Sequence, residues 1–112
     1  MTVLSAHTII GDKVVNKQNE NLGDIKELMI DLDTGKVTYA VLEFGSFLGM
    51  GGKLFAVPIN AMQVDTDRKC FVLDQPKEAL KNAPGFDKDH WPDFADSRWT
   101  GSIDTYYSSK TH

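Results

Sequence analysis

With one cysteine, Cys70, among 112 residues, the chain can form no internal disulfide, and its fold must stand on packing alone. Cys70 lies in the apolar run Cys70-Phe71-Val72-Leu73, where a free thiol behaves as a small hydrophobe. Arg68 and Lys69 are close in sequence, but no histidine or helix start joins them, so Cys70 is expected in the core rather than at a reactive site. Basic clusters are missing too. Twelve Lys and Arg face sixteen Asp and Glu, for a formal net charge of −4. Lys13, Lys17, Lys26, Lys36, Lys53, Arg68 and Lys69 are scattered and interleaved with acids, which leaves no row of cations to track phosphates. Nucleic acid is therefore not an expected partner. No run approaches the ~20 apolar residues that a membrane helix needs. The first ten residues lack the basic start and long apolar stretch of a signal peptide, which makes the cytoplasm the default expectation.

What is present is an ordinary globular composition, 41% hydrophobic and 25% charged, at a length that suits one domain. Ser5 to Ile10 can form one helical turn, with Ser5 as its cap and Gly11 as a left-handed exit. Lys13-Val14-Val15-Asn16 reads as a short strand, and the polar stretch to Asn21 as a turn. Further on, Leu28, Ile30 and Leu32 alternate with Met29 and Asp31, the period of a half-buried strand. Asp33-Thr34-Gly35-Lys36 supplies turn chemistry. It leads into Val37-Thr38-Tyr39-Ala40-Val41-Leu42-Glu43-Phe44, which is apolar on both faces. That predicts a hairpin in a small closed barrel with something packed outside it. Lys53 to Val57 reads as another strand, closed by Pro58, and Met62-Gln63-Val64 with Cys70 to Leu73 as a last hairpin. A short helix follows Pro76 and stops before Pro84-Gly85. From Phe86 onward the sequence has no steady period but is rich in aromatics, so it is expected to pack on the barrel or on a partner subunit.

Several patterns that could carry chemistry fail on inspection. Gly52-Lys53 is followed by Leu54 and preceded five positions earlier by Phe47, so the residues do not form a phosphate-binding loop. A calcium loop starting at Asp31 would need glycine and glutamate where Lys36 and Leu42 stand. His7, His90 and His112 have no ligand spacing, and no nucleophile elbow occurs. The expectation is a protein without catalytic residues, metal or cofactor.

Leu22-Gly23-Asp24-Ile25, Leu28-Met29-Ile30-Asp31, the Gly35–Leu42 stretch, and Phe44 through Lys53 into Phe55-Ala56-Val57-Pro58 together resemble the PRC-barrel family. The family includes the cytoplasmic domain of the photosynthetic reaction centre H subunit, a domain of ribosome-maturation proteins, and stand-alone bacterial proteins. The resemblance implies an all-β, SH3-like barrel of about six strands over residues 1–75, with a short helix and aromatic extension over residues 76–112. It also implies a docking module, with a protein partner or a homo-oligomer such as a dimer. The candidate interaction surface is Phe47, Leu48 and Met50 on the glycine-bordered loop, with Trp91, Trp99, Tyr106 and Tyr107 in the tail. Two alternatives stand beside it: an RNA- or ribosome-associated small barrel, and a small-molecule site in the barrel mouth.

Overall fold

β-branched and aromatic residues concentrate where the chain must be extended, and six strands form there. The computed structural model describes residues 3–44, 53–87 and 89–108. In chain order the elements are α1 (Ala6–Ile9), β1 (Lys13–Val15), β2 (Asn21–Asp31), β3 (Lys36–Phe44), β4 (Lys53–Pro58), β5 (Met62–Asp65), β6 (Cys70–Leu73), α2 (Lys77–Lys81) and α3 (Ser97–Ser108), with a 3-10 turn at Ile59–Ala61. The strands make one curled sheet, a half-barrel, in the order β4-β3-β2-β1-β6-β5. Neighbours are antiparallel except β1 and β6, which run parallel.

The predicted N-terminal turn and hairpins are present. The Ser5 side chain accepts a hydrogen bond from the Thr8 amide at 3.2 Å, capping α1. Its exit is fixed by the Gly11 amide donating to the Ile25 carbonyl at 2.7 Å, with Gly11 at φ +99°. Asn16 is buried and fully engaged. Its side-chain nitrogen donates to Glu20 and to the Gln75 carbonyl, while its oxygen accepts from the amides of Gln18 and Glu20. That clamps the β1–β2 turn to the segment leaving β6.

β3 and β4 explain the two-sided apolar pattern. Ala40 pairs with Val57 and Leu42 with Phe55, so these side chains share one face with Phe44, whose ring meets Phe55 edge-on at 6.0 Å. That face fills the barrel with Val14, Leu22, Ile25 and Leu73. Tyr39 pairs with Pro58 and Val41 with Ala56 on the opposite face, where the Tyr39 hydroxyl donates to Asp104 of α3 at 2.8 Å. The aromatic extension lies on its own barrel: Ile103 and Tyr107 of α3 join the core, and the Phe86 amide and carbonyl bond both backbone groups of Leu54 on β4. The outer edge of β4 is thereby partly covered.

Two sequence expectations are corrected. Leu28, Ile30 and Leu32 do not form one buried face: Leu28 is half-buried, Ile30 is 52% exposed and Leu32 is 90% exposed. The β2–β3 register slips between Ile25 and Glu27 and again between Met29 and Ile30, and each slip breaks the alternation. The stretch without a visible period contains a helix of 12 residues, α3. Asp96 starts it, its carboxylate accepting from the Arg98 amide at 2.9 Å and its carbonyl from the Thr100 amide at 3.0 Å.

Candidate interaction surface

The predicted surface residues separate in the structure. Phe47, Leu48 and Met50 lie outside the described residues. Trp91 is 42% exposed and stacks at a tilt on Phe86, ring centres 5.1 Å apart. Trp99 meets Phe94 edge-on at 4.9 Å, and Phe94 in turn reaches Tyr39 at 5.9 Å. These rings form one cluster that fastens the chain after Phe86 to the back of β3 and to α3. The Tyr106 hydroxyl donates to the Ala79 carbonyl at 2.6 Å, tying α3 to α2. Tyr107 is only 1% exposed and is a core residue rather than a surface one, because the helical period sets it one turn beyond Ile103. The tail aromatics thus serve mainly to hold the extension on the barrel, and Trp91 alone of the four shows a large open face.

A different apolar surface lies across the molecule's N-terminal side. Val3, Leu4, Leu28, Val37, Val64 and Phe71 line a groove of about 350 Å³, whose walls contain no ionisable side chain. Val3 is 78% exposed. Leu4 and Val64 continue the wall into a neighbouring hollow that ends at Asp12, Asp65, Lys69 and Cys70. Cys70 itself is buried, with the Arg68 guanidinium 3.7 Å from its sulfur, as expected of a core cysteine. The positions come from α1's lead-in, the β2–β3 hairpin and the β5–β6 hairpin, three elements that the curl of the sheet brings together. Sequence reasoning missed this groove because it read Leu28 and Val37 only as parts of one hairpin and gave Val3, Leu4 and Val64 no surface role. No local signal marked it, since Val3 and Leu4, Leu28 and Val37, and Val64 and Phe71 meet only through the curl of the sheet.

Charge at the surface is paired locally. Arg68 meets Asp65 at 3.1 Å, Lys26 meets Glu43 at 3.3 Å and Lys17 meets Asp74 at 3.3 Å. Arg98 hydrogen-bonds Asp96 and holds its carboxyl below the usual carboxylate range. Burial raises the hydroxyl pKa of Tyr107 well above the ordinary tyrosine value, consistent with its place in the core. Among the described residues no three His, Cys, Asp or Glu side chains gather as a metal-holding group. No described helix is long and apolar enough to cross a membrane.

A curled six-stranded sheet with a filled interior, a helix on its back and a charge-free groove defines a small β-barrel module. The chain belongs to the PRC-barrel domain family, whose model matches residues 1–80. The match ends within α2, so α3 and most of the aromatic cluster lie beyond it. No curated protein matches the sequence. A similar solved structure is a putative 16S ribosomal RNA processing protein, RimM, from Pseudomonas aeruginosa. It is 16% identical with a TM-score of 0.49, and the alignment covers 67% of this chain and 45% of that one. The chain therefore spans less than half the length of that protein, and a likeness at this level indicates no shared partner or activity.

Proposed function

We propose that the chain is a non-catalytic docking module that engages another protein surface through the Val3–Leu4–Val64 groove. The observation that carries the reading is a contiguous apolar groove, free of ionisable walls, on a protein whose barrel interior is already filled by its own side chains. Apolar surface of this kind, rimmed by polar residues, marks contact sites. Phe44, Phe55, Leu22, Ile25 and Leu42 are fully buried and occupy the interior that a small-molecule ligand in the barrel mouth would need. The acidic balance speaks against an RNA-associated role. A mobility shift with RNA at low salt would reverse that preference.

Val64→Lys tests the docking reading at an exposed position, where the substitution spares the core. The variant should lose crosslinks that the wild-type chain forms through residues around the groove, read by mass spectrometry, while keeping its circular dichroism spectrum. An identical crosslink pattern in both proteins would overturn it.

A further inference from the structure

Across the Ile59–Ala61 turn from the groove lies a cleft of about 380 Å³, bounded by that turn and the C-terminal end of α3. Ile59 lines the groove, whereas Asn60 and Ala61 line the cleft together with Pro58, Asp104, Tyr107 and Ser108. We propose that this cleft binds an alkylguanidinium, an aliphatic stem ending in a planar cation, with Asp104 as its charged partner. The volume suits a small organic ligand. Asp104 is exposed and makes no ion pair among the described residues, and no lysine or arginine is among the residues lining the cleft. Its carboxylate is held in place, because Oδ1 accepts a hydrogen bond from the Tyr39 hydroxyl at 2.8 Å, which leaves the other oxygen to a ligand.

Charge and shape select the class of ligand. An apolar molecule would strip water from the Asp104 carboxylate and return no partner, and an anion would be repelled by it. A divalent metal ion needs more oxygen ligands of negative charge than one carboxylate. Ser108 closes α3 and Asp104 stands one turn before it, at the end where the helix dipole favours positive charge, and the last turn carries no basic side chain. Pro58 and Ala61 offer an aliphatic wall to the stem, as apolar surface does for the methylenes of a long cationic side chain. A guanidinium suits the cleft better than an ammonium. It is more weakly hydrated, and its donors lie in one plane, enough for the carboxylate, the Asn60 carboxamide oxygen and the Ser108 hydroxyl oxygen together. The Ser108 hydroxyl donates to the Thr105 carbonyl at 3.3 Å, so its oxygen is turned to accepting.

Amide chemical shifts of the full chain, titrated with butylguanidinium, read the site. Saturating shifts are expected at Asn60, Ala61, Asp104 and Ser108, with a dissociation constant on the order of millimolar. Butylurea, a neutral counterpart of the same shape, should leave those signals in place. Asp104→Asn keeps an acceptor for Tyr39 and is expected to weaken binding about tenfold or more. Ser108→Arg, at an exposed position, brings a guanidinium of its own and should abolish the response. Nα-acetylarginine amide separates two sources of the same group. Tighter binding than butylguanidinium assigns the cleft to an arginine of another protein and weaker binding to a free small cation, and both support the site. Equal shifts with butylurea, or an Asp104→Asn response equal to that of the wild type, would overturn the inference. A silent wild-type chain would overturn it as well, and a response that then appears in Lys110→Ala would name the chain's own lysine as the occupant.

Discussion

At Gly23 the backbone turns to φ +131°, and a Cβ added there would collide with the Glu43 carbonyl oxygen on the neighbouring strand. Glycine is what lets β2 approach β3 at the start of the sheet. Gly23→Ala should cost about 2–4 kcal/mol, from strain and a contact with backbone that has no side chain to move aside. Urea unfolding measures it, and a loss below about 0.5 kcal/mol would contradict the close approach. Tyr39 makes a prediction of another kind. Burial, then the hydrogen bond to Asp104 and its charge, push the hydroxyl up to about 12 from the ordinary value of 10.0. The folded chain holds that proton more tightly than the unfolded one. The stability it contributes is therefore complete below about pH 10 and is lost as the pH rises through about 12. Thermal melts across that range should show the decline, and Tyr39→Phe should flatten part of it while costing about 1 kcal/mol at neutral pH. Wild-type melting that is level across the range would contradict the assignment.

Among the elements, α3 bears most on how the barrel is closed from outside. Ile103 is fully buried and belongs to the core that also contains Phe55 and Ala56 of β4. Ile103→Ala should cost about 2–5 kcal/mol, seen as a lower urea midpoint with a fully folded starting spectrum. A cost under about 1 kcal/mol would mean that the helix is not seated on the barrel. The sequence made the sheet legible and this helix obscure, for one physical reason. β-branched and aromatic residues at alternating positions in β3, and Asp33-Thr34-Gly35 in the turn before it, advertise a hairpin through local preference alone. In α3 the stripe of Trp99, Ile103, Tyr106 and Tyr107 has helical spacing. Thr100, Gly101, Ser102 and Thr105 lie between, all weak helix formers, so the helix depends on tertiary packing. Likewise the two register slips in β2 arise from pairing with β3, and nothing local to Leu28, Ile30 and Leu32 signals them.

For the molecule as a whole, family membership was readable from the order of its strand motifs, whereas the groove was not. Its walls come from Val3 and Leu4 at one end of the chain, the middle hairpin, and Val64 and Phe71 far along it. Only the parallel pairing of β1 with β6 brings the last hairpin beside the first elements. The tail aromatics drew attention in sequence because they are conspicuous, yet most of them are spent on one another and on Tyr39. On the docking proposal, the aromatic extension holds the barrel together and the groove on the N-terminal side makes the contact. Amide hydrogen exchange compared between dilute and concentrated protein tests that division directly. Slowing on association is predicted at residues 3–10, 28–37 and 62–71, with α3 and the Phe86–Trp91 region unchanged. Slowing confined to α3 and the aromatic cluster would contradict it.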